Sequence, residues 1–279
     1  LTLQSILDYL KEVSIATLWQ TFILLGPLTI LSLIMHFVAR WNEQLSHKVL
    51  GKNVFLYGFA WLGTAIHELG HALFALIFFH KITDIKLFDA KGKGGSMGYV
   101  EHSYNKRNIY QNIGNLFIGI GPVLIGALLL WLISFLLFGT VLSSFTEFNI
   151  NASSFTSVAG LKSFLSNGYI SFINYGHLVL LSENTTWWKI TLLIYFLYAI
   201  GSSITLSPSD FKGAWQGFVF FVLVLLVFNL CTLWLGNFTE RGFAYVSTYG
   251  NVLYFLITLS ILVNMVFVLL LLVLSLIRK

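Results

Sequence analysis

Charge is scarce in this chain: Lys, Arg, Asp and Glu make up only 10% of its 279 residues, against 57% hydrophobic. A soluble protein of this length could not cover so much apolar surface with so few charges, and the mean hydropathy of +0.83 excludes that class. Cysteine is nearly missing. The single Cys231 rules out an intramolecular disulfide and a thiolate-rich metal site, and in VFNLCTLWLG it reads as lipid-facing or packed. Acid is scarcer than base, 11 residues against 16, for a net charge of +5. In a membrane protein such an excess sets orientation and meets anionic headgroups, so no nucleic-acid partner is expected.

Long apolar segments are what the chain does have. A helix needs about 20 mostly apolar residues to cross a bilayer, and such runs recur at about 17–39, 54–80, 109–139, 187–206, 214–235 and 250–276. The expected fold class is an all-α polytopic membrane protein with about six transmembrane helices and a small β-hairpin insert between the second and third. Ahead of them, Leu3, Ile6, Leu7, Leu10 and Val13 share one helical face and Asp8, Lys11 and Glu12 another, the pattern of an interfacial helix. Six crossings put both termini on one side. Lys81, Lys86, Lys91, Lys93, Lys106 and Arg107, with Arg278 and Lys279, make that side cytoplasmic, because the long loop at 140–186 carries only Lys162. Arg40, Lys48 and Lys52 fall on the other side under this assignment.

The second span contains AIHELGHAL, residues 65–73, where two histidines and a glutamate interrupt hydrocarbon. An ionisable side chain at the centre of a membrane helix costs about 2.5–3.5 kcal/mol on insertion scales, which makes it a functional residue by default. His67 and His71 are four apart and share a helix face, where both imidazoles can bind one zinc ion. Glu68 is next to His67 around the helix, close enough to hold a water on the metal. This is the HExxH arrangement; chance placement would produce about 0.004 such patterns in a chain of this composition. Ala60, Gly63, Thr64 and Gly70 continue the same stripe with small or polar residues, so that face points into the protein.

A third ligand is required, and candidates are few. Asp210, in TLSPSDFKGAW, follows Pro208 at a helix break, a feature tolerated at membrane depth where it lines a cavity. Its other reading is a cap on the next helix. Glu101 and His102, in GYVEHSYN, are the rivals. His36, His47, His80 and His177 stand at span ends or in the outer loop and read as interfacial. Residues 82–104 alternate weakly around the turn-rich Lys91-Gly-Lys-Gly-Gly-Ser, a β-hairpin pattern. Its free edge would suit an extended substrate backbone, and a lysine-rich loop on headgroups is the competing reading. Asn112 and Asn115 lie on a seam with Gly119, Pro122 and Gly126, suited either to helix packing or to hydrogen-bonding a substrate carbonyl.

HELGH in a second span, SPSD after a fourth and a glycine-rich insert between them together make the chain resemble the site-2 protease family of intramembrane zinc metalloproteases. The resemblance covers about residues 54–220. It implies one zinc ion held by His67, His71 and Asp210, with Glu68 as the catalytic base, and a membrane-protein or peptide substrate cut in or near its transmembrane segment. The family's aspartate usually stands in an LDGG-like motif, where this chain has SPSDFKG; its Gly-Pro motif is matched by Gly121 and Pro122, with Ile125 where an asparagine would follow. Substrate binding would then fall to Asn112, Asn115, Gly121 and Pro122. The domain reading is an N-terminal helix and first span at 1–53, a catalytic membrane core at 54–220 and C-terminal spans at 221–279. Two other functions fit the same residues: a membrane zinc protease using Glu101 as third ligand, and a non-catalytic metal-binding membrane protein or transporter.

Overall fold

A computed structural model describes residues 2–91, 97–139, 157–181, 183, 185–235 and 238–277, with 238–248 described by backbone alone. Lys93, Arg278, Lys279 and residues 140–156 of the expected outer loop lie outside the described residues. In chain order the elements are α1 (Leu3–Val49), α2 (Lys52–Phe55), a π-helical turn (Leu56–Ala60), α3 (Trp61–Ile77), β1 (Lys81–Lys86), β2 (Tyr99–Ser103), α4 (Ile109–Phe138), α5 (Val158–Leu181), α6 (Trp187–Ala199), a 3-10 turn (Gly201–Ser203), α7 (Pro208–Thr232), a second 3-10 turn (Leu233–Leu235) and α8 (Phe238–Ile277). The expected class holds: the chain combines helices long and apolar enough to cross a membrane with a two-stranded antiparallel hairpin.

Among the described residues those helices are five, Leu3–Val49, Lys52–Ile77, Ile109–Phe138, Pro208–Leu235 and Tyr249–Ile277, in place of about six. The stretch expected to cross at 187–206 ends as a helix at Ala199. Its 13 residues span about 20 Å at 1.5 Å per residue, short of a hydrocarbon core of about 30 Å. The cause is local. Gly201, Ser202 and Ser203 are weak helix formers, Ile204 takes the turn conformation φ −74°, ψ 62°, and Pro208 begins a new helix behind the Ser207 cap.

The N-terminal region departs too. The interfacial helix, the first span and most of the following loop are one 47-residue helix, α1. Nothing between Leu3 and Val49 breaks a helix except Pro27, which lies inside it. A proline has no N–H for the carbonyl four residues back, here Ile23. That carbonyl oxygen is 3.1 Å from the Tyr254 hydroxyl of α8, which also donates to Leu24 O at 2.8 Å. The defect becomes an interhelical bond, as hydrocarbon surroundings demand.

Part of the expected outer loop is helix α5, which buries Gly168, Ser171, Tyr175 and Val179 at helical spacing. Tyr175 shares a 3.0 Å hydrogen bond with Ser134 of α4, and Phe172 and Tyr175 pack on Phe255 of α8. The central core joins Leu130, Val123 and Ala127 of α4 to Ile200, Ile204, Phe255, Leu256 and Ile257. Polar staples add direction. Asn42 Nδ2 donates to Asn264 Oδ1 at 2.9 Å, Asn264 Nδ2 to Leu197 O at 3.1 Å, and Asn229 Nδ2 to Gln20 Oε1 at 2.7 Å. Together they tie α1 to α8, α8 to α6 and α7 to α1.

Close helix crossings rest on glycine. A Cβ on Gly217 of α7 would come 2.8 Å from Asn112 O and 3.0 Å from the Asn115 carbonyl carbon, both backbone of α4. Gly217→Ala is therefore expected to push α4 and α7 apart and cost about 1–3 kcal/mol. Gly176 has open space around its Cα. Denaturation midpoints in detergent should fall for Gly217→Ala and hold for Gly176→Ala; equal midpoints would mean that the crossing is looser than described.

Candidate metal centre

HELGH occupies the middle of α3, with His71 six residues, about 9 Å, from the helix end that leads into the hairpin. Two glycines on this helix admit its neighbours. A Cβ on Gly63 would meet Ala199 O and Ser203 Cβ, and one on Gly70 would sit 2.6 Å from the N and Cα of Pro122. So α3 is pressed on one side against the broken end of α6 and on the other against α4, with His67 and His71 between.

Each imidazole is held from behind by a backbone carbonyl. His67 Nδ1 is 2.9 Å from Ser203 O, and His71 Nδ1 is 2.7 Å from Ile118 O. A carbonyl oxygen can only accept, so both Nδ1 atoms carry hydrogen and both Nε2 lone pairs are available to a metal. Neither carbonyl has the helical N–H partner four residues on, because the helices are broken there. Ile118 O would bond residue 122 in an unbroken ladder, and residue 122 is a proline. Ser203 O lies at the 3-10 turn, where Thr205 N–H folds back on it at 2.8 Å and turns it outward.

The third donor arrives with α7. Ser207 caps that helix: its Oγ accepts Asp210 N–H at 3.2 Å while Asp210 Oδ2 accepts Ser207 N–H at 2.8 Å, a reciprocal capping box. Asp210 is thus both a first-turn capping residue and a metal-ligand candidate, the two readings its sequence left open. Its Oδ1 is 3.2 Å from His71 Nε2 and its Oδ2 3.7 Å from His67 Nε2; the two Nε2 atoms are 3.3 Å apart. Bonds of about 2.0–2.1 Å to a tetrahedral ion put ligand atoms about 3.3 Å from one another. The His67–His71 and His71–Asp210 spacings match that value, and the group His67, His71 and Asp210, whose ligand atoms all lie within 4.8 Å of one another, could hold a metal ion. Glu101 stands apart, exposed on the outward face of β2 opposite Asp84.

In front of the three donors is a cleft of about 580 Å³ lined by Glu68, Asn115, Ile118, Gly119, Ser207, Ser209, His102 and Gly98–Val100 of the hairpin. Glu68 is 8% exposed. Gly98 lies against it so closely that a Cβ would be 2.7 Å from Glu68 Cγ. Among the described residues the buried Asn115 Nδ2 has no hydrogen-bond partner. A buried donor without a partner is costly, about 1–3 kcal/mol, and asks for a function.

The other expected site residues are placed differently. Asn112 is spent on structure: Nδ2 donates to Lys106 O and Asn108 O, both at 2.8 Å, and Oδ1 accepts from Gln216 Nε2 at 3.0 Å. Gly121 and Pro122 face Gly70 at the crossing of α3 and α4 and do not line the cleft. His80, read as interfacial, is buried at 3% exposure. The Ile118 and Ser203 carbonyls were missed because backbone partners have no side-chain signature; Pro122, four residues after Ile118, was the available clue. No family model, curated protein or solved structure matches the chain.

Purified protein analysed by inductively coupled plasma mass spectrometry should carry one metal ion per chain. His67→Ala, His71→Ala and Asp210→Ala should each lose it, and Glu101→Ala should keep it. Metal retained in Asp210→Ala and lost in Glu101→Ala would reverse the assignment of the third donor.

Proposed function

We propose that this protein is an intramembrane zinc endopeptidase, hydrolysing peptide bonds in or near transmembrane segments of membrane-protein substrates. One observation carries the reading: two imidazoles with their Nε2 lone pairs forward and one carboxylate converge at ligand spacing, with a buried glutamate lining the same cleft. Two nitrogens and one oxygen are a donor set that suits zinc and leaves a coordination position open. The resemblance of HELGH and SPSD to the site-2 protease family points the same way.

A zinc ion held by His67, His71 and Asp210 would supply Lewis acidity toward a water and a carbonyl oxygen at neutral pH. Glu68 does the proton work: its carboxylate takes a proton from the attacking water and passes it to the departing amine nitrogen. Asn115 Nδ2 is the donor for the carbonyl oxygen as negative charge grows there, a role that needs a fixed, dehydrated group. Asp210 is fixed by its capping box, so it keeps its place without further ordering.

The substrate must reach this cleft unwound, because a helical peptide bond is sheltered by its own turns. β2 pairs with β1 along one edge only, and Gly98, Tyr99 and Val100 near its start line the cleft. Its open edge gives an extended substrate a backbone to pair with. Cleavage then falls near the hairpin end of the membrane, about 9 Å along α3 from its terminus.

Glu68→Gln should lower the cleavage rate of a labelled single-span peptide in proteoliposomes by about 10²–10⁴-fold while metal content stays at one. Asn115→Leu should lower kcat by about 10²-fold with metal retained. Full activity in Glu68→Gln would end the peptidase reading.

A further inference from the structure

The cleft contains one imidazole that the metal does not use. His102 lies on the inward side of β2 and lines the cleft. Behind it is His80, whose Nδ1 is 3.0 Å from His102 Nδ1 and whose Nε2 is 2.8 Å from the backbone carbonyl of Gln111. That carbonyl accepts only, so His80 Nε2 carries hydrogen. In a neutral ring His80 Nδ1 is then a lone pair, and His102 Nδ1 must donate to it. His102 Nε2 is left as a bare acceptor, and no described group bonds it. Burial holds His102 down at about 4 and also lowers His80. Both rings are neutral at pH 7, as the hydrogen-bond chain requires.

The chain goes to some expense to build this pair. Phe79, which joins α3 to His80, has φ +57°, a left-handed conformation that is unfavourable for a residue with a side chain. That turn sends His80 N–H back to Ala75 O at 2.8 Å, and Gln111 Nε2 secures Phe79 O at 2.7 Å. Tyr104 stacks on the His80 ring, centroids 4.8 Å apart at 17°, and its hydroxyl reaches Gln216 of α7. The orientation of His102 is thus set from α3, α4 and α7 together.

We propose that His102 Nε2 is a substrate-binding acceptor that takes a hydrogen bond from a peptide N–H in the cleft, with His80 as its positioning residue. The proposal rests on the peptidase reading and narrows its substrate class. A peptide unit brings one acceptor and one donor; Asn115 Nδ2 serves the first and His102 Nε2 the second. In a helix the N–H groups are already used, so this pair selects a segment that is unwound at the cleft.

The test measures binding apart from turnover. In a Glu68→Gln background, a fluorescent transmembrane peptide with a Gly-Pro break is titrated in detergent, alongside the same peptide with an ester in place of one amide near the break. His102→Phe should weaken the amide peptide about 10-fold, His102→Gln should recover most of that loss through its side-chain oxygen, and metal content should remain at one. Scanned along the peptide, one ester should weaken binding to His102 protein and make no difference to His102→Phe. An unchanged Kd in His102→Phe, or an ester penalty that persists there, overturns the proposal. On the unmutated ring, ¹⁵N spectra of histidine-labelled protein should show Nδ1 protonated and Nε2 bare; a protonated Nε2 overturns it without any variant. If the His102-competent protein binds this peptide as described and wild type never cleaves it, the peptidase reading fails and the binding role stands. Cleavage with no dependence on His102 is the reverse case.

Discussion

A backbone carbonyl released from a helix inside hydrocarbon must find another donor, and the candidate metal centre depends on that constraint. Pro122 releases Ile118 O and the 3-10 turn presents Ser203 O; each takes the Nδ1–H of one HELGH histidine. Pro27 releases Ile23 O to the Tyr254 hydroxyl. Helix defects and polar side chains cancel one another's cost. In doing so they fix which nitrogen of each imidazole faces forward, a choice that would otherwise be open, and the Asp210 carboxylate meets both rings already fixed by its own helix cap.

Glycine provides the approach that makes those bonds short. Gly63 and Gly70 bring α3 onto the α6 turn and α4, and Gly119 brings α4 onto Asp210 O and Ala214 of α7. The hairpin closes the remaining side, with Gly98 over Glu68 and Tyr104 tied through Gln216 to Asn112. Four chain segments thus converge on one cleft, and Asn112 contributes by tying three of them together without facing it.

His67, Glu68 and His71 were legible because an i, i+4 spacing in an apolar run is local information. The hairpin was legible for the same reason: its turn residues and flanking alternation are adjacent in sequence. Asp210 could be named but not assigned, since a carboxylate three residues into a helix suits a cap and a metal equally well, and here Oδ2 caps the helix while Oδ1 faces His71. The extent of α1 and the shortness of α6 were less visible. Apolar composition continues through both, and only the Gly201-Ser-Ser turn decides where α6 ends. The His80 and His102 pair was hidden by a sequence separation of 22 and a left-handed Phe79 that nothing in its residue type announces. Gly121 and Pro122 drew notice as a substrate-binding motif; in the fold their contribution is a close crossing and a missing N–H.

The most direct measurement is a metal titration of cleavage. Protein stripped by chelator and reconstituted in lipid with a labelled single-span substrate should be inactive, and activity should rise linearly to a plateau at one zinc per chain. Undiminished cleavage by metal-free protein, or none by protein carrying one zinc on an unwound substrate, would contradict the account.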